Sequence, residues 1–424
     1  MLDIKFVREN KEAVKKNAQI RLVKVDIDKL LDFDERRRGL ISKIETMRRE
    51  QNKAGEEISK EKDELVKKEK IGKMKELKEK LAELEPLLVD VEKEFNELMN
   101  LLPNMIQPGV PVGKSEEDNV VLYEVGKKPK FNFNTRDYME IAEDLDLIDT
   151  ARAAKVSGSR FGYIKNELAI LEFALIKLAF DVLKKEGFKP VVPPVMIKTQ
   201  AMKSMGYIDT QDDRQERYYF SEDDLYLVGT SEQSIGPMYI NEILDERNLP
   251  LRYMAFSTCF RREAGSYGKD TKGILRVHQF DKIEMFSFTE PENSEKEHKL
   301  LLSMEEKLMQ ALKLPYRVVQ LCSADLARPS SATFDIETWL PAAQQYRETH
   351  STSNCTDFQA RRLNIRYKNS KTDKLEFAHT LNGTAFAIGR TLIAILENYQ
   401  QKDGSVGVPK VLQKYCGFKK IESK

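Results

Sequence analysis

The feature that most constrains this chain is a run of apolar residues at Met74, Leu77, Leu81, Leu84, Leu88, Val91, Phe95, Leu98 and Leu102. The steps alternate between three and four, the a/d seam of a helix that must lie against a partner helix. Upstream, from Leu30 onward, turn chemistry is almost absent. Ile41, Ile44, Ala54 and Ile58 form a looser stripe there, with Arg48 and Gln51 within it. The polar run Ser59 to Lys70 is the expected reversal. Two helices of about 30 residues would then make an antiparallel hairpin, from about 30 to 102, of roughly 45 Å at 1.5 Å per residue. Pro86 interrupts the second seam and should kink or loosen it.

Charge along the hairpin is uneven. Arg36 to Lys53 holds seven bases against Glu45 and Glu50, and Lys60 to Lys80 nine against six acids. Glu83 to Glu97 reverses this, with six acids against Lys93. The pattern fits either a solvated coiled-coil surface or a basic arm that tracks phosphates above an acidic root. Over all 424 residues, 70 Lys and Arg nearly cancel 69 Asp and Glu, which excludes a uniformly basic coat protein or an acidic disordered tail. The longest apolar stretch, Leu168 to Phe180, is broken by Glu172 and Lys177, so no membrane span is expected. MLDIKFVREN carries no leader pattern. Cys259, Cys322, Cys355 and Cys416 lie far apart with no CxxC pair, so neither a zinc cage nor a disulfide framework is expected, and a cytoplasmic setting fits.

Beyond Leu102 the texture changes. Pro103 to Asn119 is rich in Pro and Gly and reads as a linker, giving domains of 1–108 and 109–424. Leu168 to Lys185 is an amphipathic helix and Pro190 to Ile197 an extended, proline-bearing segment. Arg252 to Glu263 and Phe280 to Phe288 alternate as strands, and Ile388 to Tyr399 is a helix. Strands outnumber the crossovers a parallel sheet would need. The expected fold class is therefore α+β, an antiparallel sheet flanked by helices, with an N-terminal antiparallel coiled-coil arm.

The common nucleotide and hydrolase signatures are absent: there is no GxGxxG after a strand, no P-loop, no GxSxG and no HExxH. Two stretches carry chemistry instead. In Phe260 to Phe288 two strands flank a loop of about 16 residues with Gly265, Gly268, Gly273, Lys269, Lys272 and Arg276, and loops of that length are usually functional. Alternation puts Arg261 and Glu263 on one strand face, and Phe280, Lys282 and Glu284 on one face of the next. Phe280 and Glu284 then lie about 13 Å apart, able to bracket an elongated ligand with a flat ring and a cationic group. In Asn382 to Gln400, Arg390 falls in the first turn of a helix, where a cation is disfavoured, which suggests an anion held between it and the helix end.

Phe260 to Met285 resembles motif 2 of the class II aminoacyl-tRNA synthetases, NGTAFAIGRT from Asn382 resembles motif 3, and Gly187 to Met196, with Pro194, resembles motif 1. Motif 2 spans about 253–288 and motif 3 about 382–400. Thr230-Ser231-Glu232, Arg347 to Arg362, His379 to Thr384, Lys155 to Phe161 and the hairpin are similar to the seryl-tRNA synthetases within that class. The resemblance covers essentially the whole chain. It implies a class II catalytic core, activation of L-serine by ATP to seryl-adenylate, and transfer to the 3′ end of tRNA(Ser), and of tRNA(Sec) where one exists. It implies catalytic roles for Arg261, Glu348 and Arg390. ATP would meet Arg261, Arg262, Glu263, Arg276, Phe280, Glu348, Thr349, His350, Ser351 and Arg390. Serine would meet Thr230, Ser231, Glu232, Arg261, Glu284, Asn382 and Thr384. Glu348 and Ser351 would hold the Mg²⁺ that accompanies ATP. The arm and the motif 2 loop, with Lys269 and Lys272, would meet tRNA, and motif 1 implies a homodimer.

This chain departs from the family at Thr349-His350, where Ile-Ser is common, at Thr352, often Cys, and at Gln233-Ser234, where Val-Pro is common in bacterial members. Two other readings stand beside this one. A relative of the same fold that loads an amino acid onto a carrier protein would lack the long hairpin. A catalytically dead coiled-coil paralogue would have lost Arg261, Glu263, Glu284 or Arg390.

Overall fold

The computed structural model describes residues 1–264 and 273–423. The chain divides into two compact units, Leu2–Pro103 and the remainder from Asn104, with Met1 counted in the second.

The first unit opens with short helices α1 (Ile4–Glu9) and α2 (Lys11–Ile20), followed by α3 (Ile27–Lys60) and α4 (Glu64–Leu101). Asp26 and Asp63 cap the long helices by accepting from the N–H groups of Lys29, and of Leu65 and Val66. Their 34 and 38 residues correspond to about 51 and 57 Å. The helices run into the expected reversal from both sides and leave only Glu61 to Asp63 to turn the chain. Lys70 closes that turn, 3.2 Å from Glu61 and 3.4 Å from Glu57.

The seam lies where the spacing puts it. Every stripe residue from Met74 to Leu102 is buried or half-buried, whereas Leu87 and Val89 between them are exposed. On α3 the looser stripe is corrected: Met47, not Arg48, turns inward, and Arg48 crosses outside to Glu85 at 2.7 Å. Arg37 likewise reaches Glu92 at 3.0 Å, and Lys29 reaches Glu94 at 3.8 Å. The acidic root is therefore partly matched by bases of the facing helix. Helix α4 is unbroken across Pro86, whose ring is exposed; the seam contacts of Leu81, Leu84 and Leu88 continue on both sides of it.

In the second unit, the run after Pro103 is irregular but firmly held. The Asn104 amide donates to the carbonyls of Pro329 and Cys355 and to Thr356 Oγ1, each at 2.9 Å. Then follow β1 (Val120–Val125), α5 (Tyr138–Asp144), α6 (Asn166–Lys185), β2 (Lys189–Val191), β3 (Leu251–Phe260) and β4 (Gln279–Thr289). The chain continues with α7 (Ser294–Leu312), β5 (Tyr316–Gln320), β6 (Ala332–Leu340), β7 (Gln345–Asn354), β8 (His379–Ala387) and α8 (Ile388–Asn398). The eight strands form one sheet in the order β1-β5-β6-β7-β8-β4-β3-β2. Every neighbouring pair is antiparallel except β2 with β3. The extended segment from Pro190 splits, because Met196–Lys198 leaves this sheet to pair with Leu225–Leu227. The main core joins the inner residues of α6, α7 and α8, among them Leu175, Leu308 and Leu392, to Ile283, Met285 and Ile336 of the sheet. Helices thus cover the face that carries Ile283 and Met285, leaving Phe280, Lys282 and Glu284 on the other. Among the described residues no helix is long and apolar enough to cross a membrane.

Seam and surface should separate by mutation. Phe95 is 7% exposed, with the Arg37 guanidinium 5.2 Å over its ring. Phe95→Ala should destabilise the helical arm by about 3–5 kcal/mol, whereas Leu87→Ala at an exposed position should stay within about 0.5 kcal/mol. Urea unfolding followed by far-UV circular dichroism measures both.

Candidate functional site

Strand alternation brings the site together on one face of the sheet. Phe280, Lys282 and Glu284 project from β4 as the spacing predicts, and Glu284 is 1% exposed. Lys282 Nζ lies 2.5 Å from Glu284 Oε2, and Thr384 Oγ1 donates to the same oxygen at 3.4 Å. Lys282 had no role assigned from sequence, although its place two residues before Glu284 put it on this face.

Two irregularities in the ladder complete the arrangement. Between β6 and β7, Ile336 faces His350 while Glu337 faces Glu348, so Thr349 is an extra residue. Such a bulge shifts alternation by one, so Glu348 and Ser351, three residues apart, share the face of Asp335 and Glu337. Between β4 and β8, Ile283 faces Phe386 and Glu284 faces Thr384, which skips Ala385 and aligns Thr384 with Ala387. From Ala387 the chain enters α8 without a side-chain cap.

The resulting cleft, of about 580 Å³, is lined by Arg261, Glu263, Ile274, Leu275, Arg276, Val277, Phe280, Lys282, Glu348, Thr349, Thr384, Ala387, Gly389 and Arg390. Arg261 holds its guanidinium 5.3 Å from the Phe280 ring and donates from Nε to the Gly229 carbonyl at 3.1 Å. The Gly229 contact brings Thr230, Ser231 and Glu232, all buried, beside the cleft. Arg390 Nη1 lies 3.0 Å from Glu348 Oε2 and donates to the Glu348 carbonyl at 2.9 Å. Arg276 Nη1 lies 3.3 Å from Glu263 Oε2.

The expected strand face shared by Arg261 and Glu263 is not what forms. Strand β3 ends at Phe260, and Glu263 adopts φ of 51°, the left-handed region. Both residues reach the cleft because the chain turns, with Arg160 Nη1 donating to the Glu263 carbonyl at 3.2 Å. Arg262 points elsewhere, over the Tyr218 ring at 5.4 Å. Thr349 bonds Thr338 Oγ1 at 2.7 Å, so it meets the cleft while its hydroxyl is used in the sheet. His350 is a core residue on the opposite face. Its ring bridges Thr349 Oγ1 at 2.8 Å and the Ala385 carbonyl at 3.0 Å, and burial lowers its pKa to about 4. Asn382 lies deeper, its amide 3.9 Å from Cys355 Sγ, and Thr352 Oγ1 donates to its carbonyl at 2.8 Å. Lys269 and Lys272 lie outside the described residues.

The other departure has an equally local account. Gln233, fully buried, accepts from the Gly229 N–H at 2.8 Å and so braces the turn that presents Glu232. Ser234 Oγ donates to the Pro194 carbonyl at 2.7 Å.

Oxygen donors suited to a hard cation share this sheet face: the half-exposed Glu348 carboxylate, paired with Arg390, and Ser351. Ser351 is hydrogen-bonded to Asp335, whose Oδ1 is buried without a hydrogen-bond partner. Asp335, absent from the sequence-derived set, had no local signal. Nor did Tyr207, whose hydroxyl donates to Glu232 Oε1.

Burial, and then the neighbouring Glu284, push Glu232 up from its ordinary 4.5 to about 8. A carboxyl raised in the folded state contributes its full stability below the unfolded value and loses it as pH rises through the folded one. The unliganded wild type should therefore lose stability between about pH 4.5 and pH 8. Glu232→Gln should raise the melting temperature at pH 8 and change it little near pH 4.5. Calorimetric melting at the two pH values measures this.

Residues 1–106 match the family model described as seryl-tRNA synthetase N-terminal domain, and 218–399 match the tRNA synthetase class II core domain (G, H, P, S and T). The chain is 44% identical to a serine–tRNA ligase of Dictyoglomus turgidum, with all of both chains covered. The crystal structure of seryl-tRNA synthetase from Pyrococcus horikoshii complexed with ATP aligns with a TM-score of 0.90 at 41% identity over the whole of both chains. That of the cytoplasmic serine–tRNA ligase of Naegleria fowleri with AMP gives 0.85 at 34%, over 100% of this chain and 99% of the other. With full-length identity at this level and both domains matched in order, the chain belongs to the seryl-tRNA synthetase family of class II aminoacyl-tRNA synthetases.

Proposed function

We propose that this serine–tRNA ligase binds ATP and serine end to end along the cleft, and the observation that carries the reading is the single sheet face. An aromatic ring and a guanidinium stand at one end, and a buried carboxylate with a hydroxyl at the other. The ATP and AMP complexes of the two aligned relatives support a nucleotide there.

Adenine stacks on Phe280, and Glu263 accepts from its amino group. Arg261 forks onto the α-phosphate, a geometry its planar guanidinium suits. Arg276 and Arg390 meet the outer phosphates, Arg390 at the uncapped start of α8, where backbone N–H groups favour an anion. Arg262 and His350 act through the frame of the site, and Thr349 lines the cleft with its hydroxyl engaged in the sheet. Glu348 and Ser351 would hold Mg²⁺, which would neutralise phosphate charge there. The serine ammonium enters between Glu232 and Glu284 with Thr230 and Ser231 nearby. Thr384, backed by Asn382, faces the hydroxyl.

Serine's carboxylate oxygen attacks the α-phosphorus, the bond to pyrophosphate breaks, and seryl-adenylate remains. The terminal ribose hydroxyl of tRNA then attacks the seryl carbonyl and AMP leaves. No side chain becomes a covalent nucleophile. Catalysis rests on positioning and on cationic stabilisation of the phosphorus. A site that hydrogen-bonds a substrate hydroxyl can reject an analogue lacking it by about 10⁴–10⁵, which would separate serine from alanine.

The basic arm binds tRNA(Ser), and tRNA(Sec) where one exists; two subunits associate through the motif 1 region around Pro194. Four free cysteines fit a reducing cytoplasm. Retention of Arg261, Glu263, Glu284 and Arg390 argues against a dead paralogue, and the long arm against a carrier-protein ligase.

Arg261→Ala should lower serine-dependent ATP–pyrophosphate exchange by at least about 10², with the melting temperature of the free enzyme nearly unchanged. Exchange within a few-fold of wild type would remove Arg261 from the site. Replacing Ile44 to Val91 by a short turn should leave exchange near normal and abolish charging of serine tRNA. Charging at the wild-type rate with an unchanged salt dependence would assign the arm's charge to simple solvation.

A further inference from the structure

One wall of the cleft begins at Ile274, and what fixes it lies outside all three motifs. Tyr138 opens α5, where Asp137 caps the helix and Glu140 returns a bond to the Asp137 N–H. The Tyr138 hydroxyl oxygen accepts from the Ile274 backbone N–H at 3.1 Å. The preceding Gly273 has φ of 73°, and a Cβ there would lie 2.0 Å from Tyr138 Oη and 2.9 Å from Met139 Sδ. Only glycine allows the chain so near α5.

Ile274 is held on two more sides. A Cβ on Gly162 would stand 2.7 Å from its Cγ2, and one on Gly389, at the start of α8, 3.7 Å from its carbonyl oxygen. The Tyr138 backbone N–H in turn bonds to the Glu397 carboxylate of α8, which also accepts from the Ala342 N–H at 3.0 Å. Tyr138 therefore ties the helix that carries Arg390 to the strand entry that carries Arg276. Arg276 and Val277, two and three residues beyond Ile274, line the cleft with Phe280.

We propose that Tyr138 is a positioning residue for ATP: its hydroxyl holds Ile274, and through it Arg276 and Val277, at the distance from Phe280 that the nucleotide requires. This rests on the reading of the cleft as the ATP site. Losing the hydroxyl leaves a backbone N–H at a 5%-exposed residue without its acceptor, and the wall can move to find another. A displacement of about 1 Å at a distance from the chemistry is enough to cost up to about 10² in rate. Glu232, Glu284 and Thr384 are held by Tyr207, Lys282 and the β4–β8 ladder, so the serine end should not feel the change.

The experiment is serine-dependent ATP–pyrophosphate exchange with the full-length wild type and Tyr138→Phe, with each substrate varied and melting curves recorded. Tyr138→Phe should raise KM for ATP by about tenfold, leave KM for serine unchanged and leave the melting temperature close to wild type. An unchanged KM for ATP overturns the inference. So does an equal rise in both KM values with a lowered melting temperature, which would mean a general structural role. If the wild type itself showed no serine-dependent exchange, the assignment of the cleft would fail instead.

Discussion

The site depends on how charge buried on one sheet face is matched. Glu284 has Lys282 two residues away on the same strand, Glu348 has Arg390 at the start of α8, and Glu263 has Arg276 just before β4. A buried carboxylate without such a partner is costly, and the usual response is to bind a proton. Glu232 shows this, since it has the Tyr207 hydroxyl and is raised to about 8. Glu305, fully buried on α7, is pushed well above its ordinary value, first by burial and then by Glu284. Under the proposed assignment, an amino-acid ammonium entering beside Glu232 would supply the missing positive charge, and the pocket would be less favourable empty than filled, the usual relation between a site's stability and its function.

The frame that presents these charges is held by hydrogen bonds away from the ligands. Gln233 braces Gly229, which anchors Arg261; Thr338, Thr349 and His350 form a chain that ends on the Ala385 carbonyl. Both bulges, at Thr349 and Ala385, lie along this chain. Extra residues in a ladder leave backbone groups to satisfy, and here polar side chains at the departures from the family pattern take up that task. The departures change how the frame is braced while Glu348, Ser351 and Thr384 keep their face.

What the sequence made legible follows from periodicity. The seam from Met74 to Leu102 and the shared face of Phe280, Lys282 and Glu284 are direct consequences of steps of 3.5 and 2 in unbroken elements. Legibility failed wherever an element ended or slipped. Arg261 and Glu263 lie beyond the end of β3, so alternation did not apply. Glu348 and Ser351 share a face only through an inserted residue, which leaves no mark in composition. Met47 takes the place of Arg48 on the α3 stripe because Ile44, Met47, Gln51, Ala54 and Ile58 step by three and four as the facing seam does, which leaves Arg48 one position outside it. His350 entered the expected site through its neighbours in the motif, and sequence adjacency on a strand means opposite faces; Arg262 entered beside Arg261 and Glu263, beyond the end of β3, where the chain turns it over Tyr218.

Arg390 brings local and global arguments together. A cation in the first turn of a helix implies a nearby anion, and in the unliganded chain that anion is Glu348, bonded through both its carboxylate and its carbonyl. The pair stands at the mouth of the cleft with the Glu348 side chain half-exposed, where its attraction is screened and its cost of separation small. Under the proposed assignment, Glu348 would be a ligand of the Mg²⁺ that accompanies ATP and Arg390 would meet the outer phosphate within reach of the helix end, so each member of the pair would keep an opposite charge when the site fills. A partner held inside the chain would therefore keep the proposed ATP site preorganised without closing it.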